Sequence, residues 1–313
     1  MKIVASAGRE DIAVVYLAEY EDGEYVELVE AVQPPIARED KWVLLVSTLY
    51  GCPVECGMCD AGGFYHGKVS KDRMFQQIDF LIRKRYPDGI IPCKQFKIQF
   101  ARMGEPAFNR EVIQVLEELP SRYQAPGFMP SISTIAPHGT DSFFEELLSV
   151  KKKLYSKGNF QFQFSVHTTD QDLRDQLIPV KKWSFERMAH YGERFYESGD
   201  RKITLNFALA AGNPVDPEVL LGYFDPQKYV IKITPLNPTY RAARNGLTSY
   251  LGEKNTGNHY DIVENLKRAG YQVIVSVGDL EENAIGSNCG QFLMKHINAD
   301  EKLSKGYLYK ISE

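Results

Sequence analysis

Hydrophobic positions along the chain follow two different periods, and their alternation predicts the order of the secondary structure. Residues 1–50 have the two-residue period of β-strands. Within them, apolar runs at Ile12–Glu19 and Tyr25–Val32 flank Tyr20–Glu24, whose Asp-Gly pair is typical of a hairpin turn. A third apolar run, Trp42–Thr48, follows. The N-terminal region is therefore predicted to be a small β structure.

A helical period begins after Ser70, which is a suitable N-cap residue. From there helices and strands alternate, and this order implies a parallel sheet with right-handed crossovers. The later predicted helices are Ile113–Leu119, Phe143–Tyr155, Trp183–Phe195 and Tyr260–Ala269. The predicted strands from Trp42 onward are Trp42–Thr48, Gln95–Phe100, Met129–Thr134, Phe160–Val166, Lys202–Ala208, Tyr229–Ile233 and Tyr271–Val277.

This order predicts an α/β fold, a partial (β/α)6 barrel of the TIM type with a small β-rich N-terminal extension. We expect residues 1–40 to form a β-hairpin extension packed on the barrel. Residues 41–313 are expected to form the core domain, with an active-site segment near its C-terminal end. The segment Asn237–Asn258 has weak periodicity, and its length predicts a functional loop rather than a simple connector.

Composition excludes several classes of protein. The formal net charge of the 313 residues is -4 and the pI is about 6.0, so no global charge favours nucleic acid. No apolar run approaches the ~20 residues that span a bilayer, and the N-terminus meets charged residues too early for a secretory signal. Five cysteines in so long a chain do not suggest a disulfide framework. A cytoplasmic protein is expected.

Three of the five cysteines, Cys52, Cys56 and Cys59, have C-x3-C-x2-C spacing directly after a predicted strand. Thiolates this close in sequence are typical of a metal site or a redox centre. Three are one too few for a closed tetrahedral zinc or iron–sulfur site. An iron–sulfur cluster held by them would leave one iron open to a small molecule. Zinc with His66 as fourth ligand is the alternative.

Polar residues follow the C-terminal ends of most predicted strands. In a parallel barrel these ends meet at one mouth, so residues far apart in sequence can line one site. Helix capping explains any single Ser or Asn here, whereas the convergence of several such loops on the cysteine-bearing end indicates a binding site. The segments are Ala101–Pro106, Ser133-Thr134, Ser165–Thr168, Pro235–Pro238, Gly278-Asp279 and Ile285–Gly290.

With the cysteine loop, these segments resemble the radical S-adenosylmethionine (SAM) superfamily, and more narrowly its RlmN/Cfr group of RNA adenine methyltransferases. The resemblance covers roughly residues 25–293. Each motif is weak alone, but the ordered set is specific. The matching motifs are the cysteine loop, Met103–Pro106, Ser133-Thr134, Ser165–His167, Leu173–Pro179, Leu236–Pro238 and Ser287–Gln291.

The resemblance implies roles for these residues. Cys52, Cys56 and Cys59 would hold a [4Fe–4S] cluster, and SAM would bind the open iron through its amino and carboxylate groups. An electron from the cluster would cleave SAM to methionine and a 5′-deoxyadenosyl radical. A reducing partner such as a flavodoxin or a ferredoxin is implied. The residues that would contact SAM are Gly104, Glu105, Ser133, Ser165, Val166, His167 and Asn237.

Cys289 matches the cysteine that carries the methyl group in that family. One SAM would methylate its sulfur, and the radical from a second SAM would take a hydrogen from that methyl group. A thiolate suits the first step because it is the most nucleophilic ordinary side chain. Glu27 can be aligned with a family glutamate that handles protons near the acceptor, although its distance in sequence from the cluster loop differs.

Three features depart from the family pattern. Leu45 stands where those enzymes have a second catalytic cysteine, and Cys93, just before a strand, is predicted to be a structural thiol. No counterpart of the N-terminal helical domain associated with RNA recognition is expected before the β extension. The acidic balance does not favour a large phosphate backbone as substrate. The substrate therefore stays open among RNA, a peptide and a small heterocycle. A second possible reaction is direct hydrogen abstraction from the substrate without methyl transfer.

Overall fold

One ten-stranded sheet forms the centre of the computed structural model, which describes residues 1–251, 256–277 and 280–312. In the described chain the strands are β1 (Lys2–Arg9), β2 (Ala13–Glu19), β3 (Tyr25–Ala31), β4 (Lys41–Val46), β5 (Leu49–Tyr50), β6 (Gly67–Lys68), β7 (Gln95–Phe100), β8 (Phe128–Thr134), β9 (Gln161–Ser165), β10 (Ile203–Leu209), β11 (Tyr229–Pro235) and β12 (Gln272–Val275). The order in the large sheet is β1-β2-β3-β4-β7-β8-β9-β10-β11-β12, and β5 and β6 form a separate pair.

The sheet changes direction at β4. Strands β1 to β4 pair antiparallel with their neighbours, and Gly23 in the β2–β3 turn has a φ of 82°, which fits the predicted hairpin. In the large sheet, every pair from β4 to β12 is parallel and follows chain order. All seven predicted strands from Trp42 onward are confirmed. In the described part of the chain β1 and β12 are not paired, so the sheet is open, as a partial barrel requires.

Helices fill the crossovers between the parallel strands. The five helices predicted from apolar spacing are confirmed, while the short ones had too few turns for a period to be visible. The helices are α1 (Lys71–Arg85), α2 (Glu111–Arg122), α3 (Asp141–Leu154), α4 (Gln171–Leu177), α5 (Phe185–Phe195), α6 (Pro217–Leu221), α7 (Tyr240–Arg244), α8 (Thr256–Arg268), α9 (Leu280–Ile285) and α10 (Leu293–Ile297). Among the described residues, none of the helices is long and apolar enough to cross a membrane.

The two faces of the parallel sheet differ in polarity. Trp42, Phe96, Ile132, Phe164 and Phe207 point to the helical layer and belong to the main apolar core. Their neighbours along each strand point to the other face because side chains alternate in a strand. That inner face is apolar at β1 to β4, where the C-terminal segment of the chain covers it. Further along the sheet it carries Lys, Gln, Ser, Thr and Asn side chains.

The predicted division at residue 40 falls between two paired strands. Val29, Glu30 and Ala31 of β3 lie opposite Leu45, Leu44 and Val43 of β4. The N-terminal strands are thus continuous with the parallel sheet, and the domain boundary stays a prediction. Of the predicted loop Asn237–Asn258, the described part contains α7, whereas residues 252–255 lie outside the described chain, as do Gly278 and Asp279.

The contact between α5 and β11 depends on a glycine. A Cβ at Gly192 would lie 1.7 Å from the hydroxyl of Tyr229 and 3.1 Å from Ile203 Cδ1. Tyr229 is fully buried and cannot move aside. We expect Gly192→Ala to lower the free energy of unfolding by about 1–3 kcal/mol through overpacking. Denaturant titration measures it, with Gly222→Ala, whose Cβ has ordinary contacts, as control. Equal midpoints for the two variants would contradict this packing.

Candidate active site

The cysteine loop follows β5, the short strand that continues from β4. Gly51 turns the chain with a φ of 74°, and a Cβ there would lie 2.4 Å from the carbonyl oxygen of Phe64, so only glycine fits. The Gly51 N–H points to the sulfur of Met103 at 3.1 Å. The loop thus begins with a tight turn packed against the segment that follows β7.

Side chains from α7 and its flanks hold the loop by its backbone. Thr239 Oγ1 donates to the carbonyl of Met58 at 3.0 Å, and Asn245 Nδ2 donates to the carbonyl of Gly57 at 2.7 Å. The Gly57 N–H donates to the carbonyl of Leu177, at the end of α4, at 2.8 Å. Residues more than a hundred positions away therefore fix the shape of the cysteine loop.

Asp60 connects the loop to two other segments. Its carboxylate accepts the N–H groups of Tyr240 at 3.0 Å and Arg241 at 2.9 Å, which begin α7. Its own N–H donates to the carbonyl of Gly290 at 2.9 Å. Burial raises the pKa of Asp60, and the two backbone N–H groups oppose that shift. The cysteine loop and the Cys289 segment are thus in direct contact through this residue.

The three cysteines lie together and are partly exposed. Burial raises the pKa of Cys52 to about 11, while N–H groups of Val54 and Glu105 lower it by donating to its sulfur. The pKa of Cys56 and Cys59 is raised as well, first by burial and then by the charges of neighbouring thiolates, including that of Cys289. Thiolates that repel one another in a site of low polarity need a positive ion or cluster between them.

Cys289 is exposed, yet burial among surrounding protein atoms is the main cause that raises the pKa of its thiol. The positive charges of Arg102 and Lys232 oppose the increase and stabilise the thiolate. Asn237 Nδ2 donates to the Cys289 carbonyl at 2.9 Å. The predicted methyl-carrying residue and a predicted SAM contact are therefore adjacent.

Arg102 holds the Cys289 segment in place. Its guanidinium donates to the carbonyls of Gly286 at 3.0 Å and of Ser287 and Asn288 at 3.2 Å each. The same group donates to Glu27 Oε2 at 2.7 Å, and both side chains are almost fully buried. Arg102 lies in the Ala101–Pro106 segment, which is predicted to belong to the site, but no role is predicted for Arg102 itself. The sequence feature that could have indicated the importance of Arg102 is its charge so close to the end of a buried strand.

Glu27 is fully buried, and both of its carboxylate oxygens have partners. Arg102 binds Oε2, and the Met294 N–H, at the start of α10, donates to Oε1 at 2.8 Å. This geometry makes Glu27 a link between β3, β7 and the C-terminal segment. The proton-handling role expected for Glu27 stays a prediction.

Glu105 lies at the end of the segment that follows β7. Its carboxylate accepts hydrogen bonds from the hydroxyl of Thr134, the last residue of β8, at 2.5 Å and from the Ile135 N–H at 2.9 Å. Burial raises its pKa to about 7 in spite of these bonds. Before it, Gly104 has a φ of 98°, and a Cβ would lie 2.5 Å from Leu49 Cβ. The predicted SAM contacts Gly104 and Glu105 are thus fixed next to the cysteine loop.

The predicted contacts after β8 and β9 lie on the same side of the molecule. Ser133 Oγ accepts a bond from Gln163 Nε2 at 2.8 Å, and Ser165 is half-buried at the end of β9. The Val166 side chain lies in the main core, so only its backbone can face a ligand. His167 has a φ of 68°, and its Nδ1 accepts the Ala208 N–H at 3.0 Å. That bond assigns the proton of the neutral ring to Nε2.

Leu45 and Cys93 lie apart from this arrangement. Leu45 packs against the apolar cluster of β2, β3 and the C-terminal segment. Cys93 is buried in the main core, with its sulfur 3.4 Å from the hydroxyl of Tyr86. His66 is exposed, with its Nδ1 3.6 Å from a Glu24 oxygen. Among the described residues, no three His, Cys, Asp or Glu side chains are arranged to hold one metal ion. A zinc site with His66 is therefore not preformed.

The curated proteins similar in sequence to this chain that are described below all carry the same name. The chain is 27% identical over 226 residues to a probable dual-specificity RNA methyltransferase RlmN of Desulfitobacterium hafniense strain Y51, covering 69% of this chain and 60% of that protein. It is 26% identical over 290 residues to the protein of the same name in strain DSM 10664 / DCB-2, covering 90% and 75%. A Nostoc relative is 27% identical, covering 64% and 52%. The chain thus spans between about half and three quarters of these relatives. No family model matches the chain.

A solved structure shares the fold. The radical SAM methyltransferase from Sphaerobacter thermophilus superposes with a TM-score of 0.69 at 20% identity, over 93% of this chain and 80% of that one. Fold, motif order and relatives agree. The chain is similar in sequence to RlmN-type RNA methyltransferases and shares the fold of a radical SAM methyltransferase. Radical SAM methyltransferases use a [4Fe–4S] cluster and SAM.

The residues of the cysteine loop fit such a cluster. A cubane takes each thiolate on a different iron, and Cys52, Cys56 and Cys59 are close enough for their charges to act on one another. The N–H groups that donate to Cys52 from Val54 and Glu105 are of the kind that tune cluster potentials. Mutual repulsion of the thiolates further favours a cationic core. The donor set and its surroundings are therefore suitable for a three-cysteine cluster.

The Arg102–Glu27 pair gives a test of how the Cys289 segment is held. We expect Arg102→Met to lower the free energy of unfolding by about 3–5 kcal/mol, because Glu27 is left as a buried, uncompensated charge. The double variant Arg102→Met, Glu27→Met should regain much of that loss. Denaturant titration of the two single variants and the double variant measures the coupling. Additive losses would contradict a direct pair.

His167 makes the free energy of unfolding depend on pH. Burial, with a smaller contribution from Arg174, lowers its pKa from the usual 6.5 to about 4. The unfolded chain therefore binds a proton at a pH where the folded chain does not. Stability from this residue is present above pH 6.5 and is lost as the pH falls toward about 4, by up to ~3 kcal/mol. We expect His167→Asn, which tolerates the left-handed backbone, to lose less stability over this range in thermal unfolding. Parallel curves would exclude this contribution.

Proposed function

We propose that the chain binds a [4Fe–4S] cluster and SAM at the mouth of its parallel sheet and transfers a methyl-derived carbon to a substrate through Cys289. Support comes from one observation above all. The cysteine loop and the Cys289 segment touch through the Asp60–Gly290 hydrogen bond, although they are 230 positions apart. Cys52, Cys56 and Cys59 would hold the cluster, which would supply the electron for reductive cleavage of SAM.

The surroundings of Cys289 suit a first methyl transfer. Its thiol loses a proton to solvent, and Arg102 and Lys232 stabilise the resulting thiolate. The thiolate attacks the methyl group of SAM, a sulfur–carbon bond forms, the sulfonium bond breaks, and S-adenosylhomocysteine leaves. Asn237 and Arg102 hold the backbone on either side of the sulfur. Together they limit the movement of the nucleophile, which favours an in-line approach.

The remaining predicted residues would position SAM. Gly104 and the Glu105 carboxyl would lie beside its amino end. Ser133, Ser165, the backbone of Val166, His167 and Asn237 would line the rest. Glu27 would act through Arg102 on the Cys289 segment, in addition to the proton role expected from the family. RNA is named as the substrate of the curated relatives, and it remains one candidate here.

Replacement of Cys289 tests the methyl-carrier role. With cluster-loaded protein and SAM, Cys289→Ala should form no S-adenosylhomocysteine, because the acceptor sulfur is gone, while the cluster absorbance stays. Cys93→Ala, in the core away from the site, is the matched control and should behave as wild type. S-adenosylhomocysteine at the wild-type rate in Cys289→Ala would disprove the role. Loss of cluster absorbance in Cys52→Ala tests the ligand assignment separately.

A second candidate function is hydrogen abstraction directly from substrate. The apolar packing of Leu45 favours it, since no thiol stands there to release a carbon bound to Cys289. In this reaction the 5′-deoxyadenosyl radical takes a substrate hydrogen, and 5′-deoxyadenosine is the product. Deuterium transfer distinguishes the two. Deuterium found in 5′-deoxyadenosine supports the Cys289 route when it comes from SAM with a deuterated methyl group. Deuterium that comes from a deuterated substrate supports direct abstraction.

A further inference from the structure

Beyond the strands that the C-terminal segment covers, the inner face of the parallel sheet is polar. Gln161 and Gln163 of β9 alternate with core residues Phe162 and Phe164, and so point inward. Neighbouring strands place Ser131, Ser133, Thr204 and Asn206 on the same face. Ser131 is 1% exposed, and its hydroxyl has no partner among the described residues. A buried polar group without a partner is costly unless a ligand or water satisfies it.

Lys97 of β7 is the strongest feature of this face. It stands between the core residues Phe96 and Ile98, points inward, and is 8% exposed. Its ammonium donates to the neutral Gln161 side chain. In the described part of the chain no carboxylate lies within ion-pair distance of it. Buried cations in proteins are normally paired, so this one lacks the partner that its charge requires.

Further cations face the same region. Lys232 of β11 points inward between core residues Ile231 and Ile233, and Lys41 stands at the start of β4. The charges of Lys41, Lys232 and Arg201 all act on Lys97 and, after burial, lower its pKa to about 7. Glu282 and the Cys289 thiolate act on Lys232 in the opposite direction. The inner face thus concentrates positive charge around one buried ammonium.

We propose that this inner face, with Lys97 and Lys232 at its centre, binds the phosphomonoester of a small substrate. The positive charge of two ammonium groups matches in size the negative charge of a phosphomonoester, which is about -1.5 to -2 at neutral pH. Neutral hydrogen-bonding groups are supplied by Ser131, Gln161 and Gln163. A polymer backbone cannot reach an ammonium that is 8% exposed between strands, so a small phosphorylated molecule fits better than an RNA chain.

The position of this face relates it to the proposed reaction. Lys232 and Cys289 are close enough for each charge to shift the pKa of the other side chain. A phosphate bound at Lys97 and Lys232 therefore leaves the opposite end of a short molecule near the Cys289 sulfur. This part of the inference rests on the proposed function, whereas the anion site itself does not.

Binding to cluster-loaded protein tests the site without any turnover. The probes are inorganic phosphate, adenosine 5′-monophosphate and, as the uncharged match, adenosine. By calorimetry at pH 8 we expect the monophosphate to bind at least tenfold more tightly than adenosine and to be displaced by phosphate. A proton should be taken up on binding, because the bound dianion restores the charge of Lys97, whose charged neighbours are Lys41, Lys232 and Arg201.

Two variants separate binding from folding. Lys97→Met should weaken monophosphate binding at least tenfold and abolish the proton uptake. It should also raise the melting temperature, because a buried amine that gives up its proton on folding is replaced by an apolar chain of similar length. A variant that loses the ligand while gaining stability has not failed to fold. Lys94→Met, which removes an exposed lysine paired with Asp40 just before β7, is the matched control and should bind as wild type.

Three results would overturn the proposed phosphate site. Monophosphate binding that Lys97→Met leaves unchanged overturns the site, as does the absence of binding by phosphate and monophosphate. Binding of a short RNA with the same affinity in wild type and Lys97→Met, and none of the small probes, also overturns it and indicates a polymer substrate at the surface. Failure of the proposed function shows separately, as S-adenosylhomocysteine formed by Cys289→Ala, and leaves these binding results intact.

Discussion

The buried ion pair between Arg102 and Glu27 is the interaction on which the site depends. One guanidinium at the end of β7 binds a carboxylate from β3 and three consecutive carbonyls of the segment before Cys289. An arginine fits this task because its planar fork offers several donors in fixed directions. The pair thus fixes the segment that carries Cys289 relative to two strands. The cost of burying its charges is offset by these bonds, which leave the guanidinium with few unmet donors.

The second constraint is the unequal polarity of the two sheet faces. The helical layer supplies apolar partners for one face, and the C-terminal segment supplies them for part of the other. What remains is lined by amide, hydroxyl and ammonium groups. A sheet that only had to be stable would bury apolar residues there, so the polar remainder indicates a surface kept for a ligand. The cysteine loop and Cys289 lie at the edge of that surface.

Much of this arrangement could be predicted from the sequence, because the periodicity of apolar residues and the turn and capping residues between elements are local signals. The strands and long helices followed from apolar spacing, and the cysteine loop followed from its position after β4. The roles of Arg102 and Asp60 could not be predicted in that way. Arg102 acts on residues about 185 positions away and Asp60 on residues about 180 to 230 positions away, and no local pattern encodes such partners. Short helices such as α7 were also missed, since one turn has no period.

The C-terminal segment has a consequence for how the fold comes together. Ser312 pairs with Ser6 of β1, and the Met294 N–H donates to Glu27 of β3, so segments far apart in sequence are in contact. The cysteine loop likewise needs Gly290 for its contact at Asp60. Contacts of such long range form late in folding, because closing a long loop costs conformational entropy. The cysteine loop is therefore expected to reach its final shape only after the C-terminal segment has docked.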